Sequence, residues 1–108
     1  MKRIHLGELE ELVLLMVGVL HDEAYGVGIK EEIEQRTGRK VNISAVHTAL
    51  RRLENKGFAR SRLGGATATR GGRRKRFFTL TISGKAALDH IYVVRSQLWQ
   101  QIPKIKFA

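Results

Sequence analysis

The sequence predicts a mainly α protein with a small antiparallel β-hairpin and a further helix at its C-terminal end. Apolar residues recur at helical spacing in separate stretches before Gly57. Two segments that alternate in period two, "FARSRL" and "RFFTLT", flank a glycine-rich run, as the strands of a hairpin do. From about Gly84 to Ile102 the spacing is helical again and stops at Pro103, which cannot continue a helix. Helix, helix, helix, hairpin, helix is the order of a winged helix-turn-helix with an added C-terminal helix. Residues 1–83 form the winged part in this reading, and residues 84–108 a C-terminal dimerisation helix and tail.

The first helix, Leu9 to Leu20, is apolar almost all round, with Leu9, Leu12, Val13, Met16, Val17 and Leu20 on its dominant face. A central position follows from that composition. The stretch "HDEAYG" then breaks the chain as a short turn. A second helix is expected from about Tyr25 or Gly26 to Thr37, with Val27, Ile29 and Ile33 as its apolar positions and Gly38 ending it as a left-handed cap. Gly26 and Gly28 weaken its first turn. "RKVNI" reads as a short strand or an extended link.

The third helix is the best marked. Ser44, placed as its cap, precedes "AVHTALRRLENKG", in which Val46, Ala49, Leu50 and Leu53 follow i, i+3, i+4, i+7 spacing and define a buried face. Lys56 complements the helix dipole and Gly57 closes the segment. His47, Thr48, Arg51 and Arg52 are left wholly or partly outside. In the hairpin, Phe78 and Leu80 are the residues expected to pack on the helices, with Phe77 a further candidate. Ser83 is the expected cap of the last helix.

Charge separates along the chain. Residues 1–38 hold four Lys/Arg and eight Asp/Glu, a net of −4, whereas residues 39–85 hold thirteen Lys/Arg and one Glu, a net of +12, within an overall +10. Positive charge concentrated on folded structure, rather than in a tail, favours a polyanionic partner, and nucleic acid comes first. Its densest part, Arg70, Arg73, Arg74, Lys75 and Arg76, sits where the glycine-rich loop turns back into the hairpin. Glycines let that backbone approach a phosphate closely.

Other function classes find little support. "LVLLMVGVL", Leu12 to Leu20, is about half the length of a membrane-spanning helix. The start lacks the apolar core and cleavage site of a secretory signal, so a cytoplasmic location is expected. With no cysteine, disulfides and thiolate chemistry are excluded. His5, His21, His47 and His90 lack metal-ligand spacing, no serine stands in a nucleophile elbow, and "HDE" at 21–23 falls in a solvated turn. The glycine-rich loop lacks the Gly-Lys-Ser/Thr ending of a phosphate-binding loop and precedes a strand. Neither an enzyme nor a cofactor is expected.

Three motifs, in order, resemble the PadR-like transcriptional regulators. "LGELEELVLLMVGVLHDEAYGVGIKEEIEQRTG" is similar to that family's leucine-rich first helix, its "YG" pair and its second helix. "ISAVHTALRRLENKGF" resembles its recognition helix, and "GGRRKRFFTLTISGKAAL" its wing strand and the start of its C-terminal helix. The resemblance implies a homodimeric DNA-binding repressor whose C-terminal helix joins the subunits. It places Ser44, His47, Thr48, Arg51 and Arg52 on the DNA-reading helix, and Arg73, Arg74 and Lys75 in the wing. Where this chain has His47 the family usually has tyrosine. Its "GVG" after Tyr25 also departs from the aromatic and acidic residues more common there.

A dimer of this kind reads an approximate inverted repeat in double-stranded DNA, with half-sites about one turn apart. His47 and Thr48 are candidates for base edges, Arg51 and Arg52 for guanine or phosphate, and the wing cations for phosphate or an adjacent minor groove. The competing reading is a nonspecific architectural DNA- or RNA-binding protein, which the charge alone would permit. On the last helix Leu88, Ile91, Arg95, Leu98 and Ile102 recur at spacings of three and four, with Tyr92 and Trp99 beside them, a seam suited to a second subunit. Arg95 is expected to pair with Glu8 or Glu11. Tyr92 and Trp99 would line a small-molecule effector pocket at the interface, or serve simply as core.

Overall fold

The computed structural model describes residues 5–64 and 74–108. Helices α1 (Glu8–Leu20), α2 (Gly26–Thr37) and α3 (Ile43–Asn55) come first, followed by strands β2 (Ala59–Leu63) and β3 (Arg76–Leu80) and helix α4 (Ile82–Gln101). Between α1 and α2 the chain makes a 3-10 turn, His21–Glu23, and a two-residue strand, β1 (Ala24–Tyr25). The hairpin is therefore part of a three-stranded antiparallel sheet in the order β1-β3-β2, whereas the sequence pattern predicts two strands. Ala24 pairs with Phe78 and Tyr25 with Phe77, so the break after α1 also holds the wing.

Register decides what each face of the sheet carries. Ala24, Phe78 and Ser61 align across the strands, as do Tyr25, Phe77 and Arg62. Side chains alternate across a strand, so neighbouring rows face opposite ways. Phe78 and Ala59 are buried on the helix side, with Leu80 packed beside them. Phe77 lies on the other face, its ring edge-on to Tyr25 at 5.8 Å, and so does not join the core under the helices.

The core lies between the first three helices and the sheet. Val46, Ala49, Leu50 and Leu53 of α3 are buried as their spacing predicts. On α1, Val13, Met16 and Val17 are buried with Leu14, which the dominant-face reading leaves out. The reason is that α1 touches α2, α3, α4 and β3, which cover more than one side of it, while Leu15, Gly18 and Val19 stay exposed. Gly38 and Gly57 end their helices at φ of 73° and 80°, the left-handed region that favours glycine.

Two helix starts differ from the sequence reading. Asn42, not Ser44, caps α3: its Oδ1 accepts the Ser44 amide at 2.7 Å, and Ser44 sits in the first turn. Thr81, not Ser83, caps α4, its Oγ1 accepting the Gly84 amide at 3.0 Å. Thr81 is preferred because it is tied twice more, its hydroxyl donating to Gly57 O at 2.6 Å and its amide to Phe58 O at 3.1 Å. "RKVNI" contains no strand; it is a link, held where the Val41 amide donates to the Glu34 carboxylate at 3.2 Å.

One buried charge joins the start of α1 to the end of α3. Glu10 accepts Lys56 Nζ at 2.7 and 3.1 Å and the Gly7 amide at 3.3 Å, while Lys56 also donates to His5 O at 2.9 Å. Burial opposes ionisation of Glu10, but the hydrogen bonds from Lys56 and Gly7 and the charges of Lys56 and Arg52 outweigh it, holding its carboxyl below the ordinary value of 4.5. A depressed carboxylate stabilises the fold above its unfolded value and stops doing so as pH falls through the folded one. Glu10→Gln is expected to cost about 1 kcal/mol at neutral pH, the partly exposed ammonium limiting the loss. Urea unfolding should show that difference shrinking below the ordinary glutamate value; a difference constant with pH would remove the ion pair from this role.

Candidate nucleic-acid interface

Helix α3 carries a polar stripe opposite its buried face. Ser44, His47 and Arg51 are exposed and Thr48 is half-buried, at i, i+3, i+7 and i+4 along one line. Arg52 is also exposed but turned toward α1, where it lines a cleft with His5, Glu10, Thr48 and Lys56. Arg51 is thus the arginine aligned with Ser44 and His47. Because Asn42 performs the capping, the Ser44 hydroxyl is not committed to the helix start.

The helix is braced from both ends. Glu34 on α2 accepts Lys30 Nζ at 3.1 Å and the Val41 amide, and these bonds hold its carboxyl below the ordinary range while fixing the entry to α3. At the far end the Glu54 carboxylate accepts the Ser61 hydroxyl at 2.6 Å and its amide at 3.2 Å, linking α3 to β2. Arg76 Nη1 in turn donates to Ser61 Oγ at 3.0 Å. Arg76 therefore serves the joint between α3 and the wing as well as adding charge.

The wing cations split into three groups. Arg70 and Arg73 lie outside the described residues. Arg74 is exposed. Lys75 is exposed too, yet its ammonium stands 4.3 Å from the centre of the Tyr25 ring, and Arg62 stands 5.1 Å from that of Phe77. Such contacts hold a cation over an aromatic face at small energetic cost to its hydration. Tyr25 and Arg62 are not among the site residues the sequence predicts. Arg62 is legible in the alternation of "FARSRL", but the place of Tyr25 depends on strand β1.

Helix α4 presents a second surface. Gly84 and Ala87 are buried, and Leu88 and Ile91 are partly buried on the α1 side. Arg95 Nη2 meets Glu11 Oε1 at 2.8 Å, the second of the two expected partners; Glu8 pairs with Arg39 instead. Beyond Arg95 every residue of α4 except Ser96 is exposed. Tyr92, Leu98, Trp99 and Ile102 are 71%, 60%, 77% and 58% exposed, so this stretch presents an apolar surface to solvent. Tyr92, Arg95, Ser96, Trp99 and Gln100 line an open depression of about 410 Å³ there.

Among the described residues no group of His, Asp and Glu could hold a metal ion, and no helix is long and apolar enough to cross a membrane. Residues 14–90 match the model of the Transcriptional regulator PadR-like family. A search of curated proteins returns no match. Among solved structures, a PadR-like transcription factor from Bacteroides fragilis superposes with a TM-score of 0.73 at 22% identity, over 87% of this chain and 85% of that one. A PadR family transcription regulator from Clostridium difficile R20291 gives 0.66 at 23% identity, over 89% and 91%. Bacillus subtilis PadR, solved in complex with operator DNA, superposes with a TM-score of 0.64 at 23% identity, over 94% of this chain and 52% of that one. These neighbours share the fold, and the family match covers most of the chain. The protein belongs to the PadR-like family of transcriptional regulators, whose members regulate transcription and are not enzymes.

Proposed function

We propose that the protein is a cytoplasmic repressor that binds an inverted-repeat operator in double-stranded DNA as a homodimer. The observation that carries this reading is an exposed polar stripe on α3 joined to the cationic wing through Glu54, Ser61 and Arg76. Ser44, His47, Thr48 and Arg51 form a stripe on a helix braced by Glu34 and Glu54, and Arg74 and Lys75 lie on the adjoining hairpin. A helix held this firmly can present its first two turns to a major groove while the wing meets phosphate. Arg70 and Arg73 add to the wing by sequence position. Leu98, Tyr92, Trp99 and Ile102, with Leu88, Ile91 and Arg95 nearer α1, supply the subunit contact.

Replacing Arg74 and Lys75 together by alanine tests the phosphate role. Affinity should fall on every duplex, and the slope of log affinity against log salt should flatten by about one unit for each phosphate no longer neutralised. Binding unchanged in strength and salt dependence would remove the wing from the interface.

A further inference from the structure

Two glycines in the first turn of α2 have no backbone reason to be there. Gly26 and Gly28 are not in the left-handed region, which among the described glycines holds only Gly38 and Gly57. Glycine in an ordinary helical turn is a weak choice. What their positions share is an aromatic ring lying where a Cβ would be. A Cβ on Gly26 would stand 2.9 Å from His47 Nε2 and 3.0 Å from its Cε1. One on Gly28 would stand 2.9 Å from Tyr25 Cε1, 3.1 Å from its Cζ and 3.3 Å from its Cδ1.

The two rings serve the two halves of the interface. His47 belongs to the stripe on α3, and Tyr25 carries the Lys75 ammonium and meets Phe77 edge-on. We propose that Gly26 and Gly28 are positioning residues for DNA recognition: Gly26 seats the His47 imidazole that reads bases, and Gly28 seats the Tyr25 ring that holds the wing cation Lys75. This rests on the operator-binding reading above. Because each obstructing atom belongs to a side chain, an added methyl displaces the ring and leaves the backbone in place. His47 is exposed and has room to swing away. The Gly-Val-Gly turn is thereby a specificity element that touches no base itself.

The test compares Gly26→Ala, Gly28→Ala, His47→Ala and the Gly26→Ala/His47→Ala double variant. In the free protein, the His47 ring proton resonances should move in Gly26→Ala and stay in Gly28→Ala, with no fall in melting temperature for either. In selections from a random duplex library, Gly26→Ala should change the preferred bases at the positions that His47→Ala changes, and the double variant should match His47→Ala. Gly28→Ala should keep the wild-type preference but flatten the salt slope by about one unit for each phosphate no longer neutralised. A Gly26→Ala protein with unmoved His47 resonances, or with wild-type preference where His47→Ala has an altered one, overturns the inference. If Gly26→Ala unfolds, recovery in the double variant supports the contact and persistent unfolding overturns it. Wild-type preference in His47→Ala itself would instead sink the base-reading role of His47, and the Gly26 assignment with it.

Discussion

Replacing Leu98 and Trp99 together by glutamate is expected to leave a folded monomer that no longer binds its operator tightly. Both side chains are exposed on α4 beyond Arg95, where the helix carries no core of its own subunit, so their replacement removes no internal packing. Buried in a partner, a tryptophan of this kind is the usual energetic centre of an interface, and truncating one costs on the order of 2 kcal/mol or more. Introducing a carboxylate into the same apolar surface adds an unpaired charge. The dimer should weaken by roughly 100-fold or more. Operator affinity should fall with it, since two recognition helices held at fixed spacing bind far better than one. Sedimentation of the variant, alongside the duplex-binding curve, checks both. A variant that remains dimeric would place the subunit contact elsewhere.

Replacing Gly84 by alanine should be the most damaging single change to the fold. A Cβ there would lie 2.0 Å from Phe58 O and 2.9 Å from Phe58 C, both main-chain atoms that no rotamer change can move aside. Relief requires α4 to shift away from the start of β2, and the same Phe58 oxygen accepts the Thr81 amide, so the cap of α4 is strained with it. Overpacking against backbone should cost about 3 kcal/mol or more, a large part of the stability of a domain this size. Gly18 provides the contrast. Its Cβ would meet only Leu80 Cδ2 at 3.6 Å, an ordinary contact, so Gly18→Ala in the middle of α1 should stabilise by about 0.5–1 kcal/mol. Urea unfolding of the two variants should move in opposite directions; equal effects would mean that Gly84 does not pack against the Phe58 main chain as described.

The parts legible in the sequence are those with local causes. The α3 face follows from one helical repeat, Gly38 and Gly57 from the need for positive φ, and the hairpin from two alternating strands around a glycine-rich run. Strand β1 is not legible, because two residues show no period and their partners, Phe77 and Phe78, are distant in sequence. With β1 goes the position of Phe77, whose place opposite Tyr25 is fixed by register alone. Cap choice is illegible for a different reason. Asn42 and Ser44, like Thr81 and Ser83, are capping residues two positions apart, and hydrogen bonds formed only in the folded chain select between them. The polar stripe can be read from sequence, whereas the glycine contacts beside it cannot, since Gly26 meets His47 only after α2 and α3 have packed.

The most direct measurement is a selection of bound duplexes from a random DNA library by the purified protein, with its mass in solution recorded on the same preparation. The expected result is an enriched inverted repeat, with half-site centres about one helical turn apart, recovered by a dimer and preferred over random duplex by at least ~10³. Tight, salt-sensitive binding with no enriched sequence would contradict it, leaving a basic winged-helix protein that holds nucleic acid without reading it.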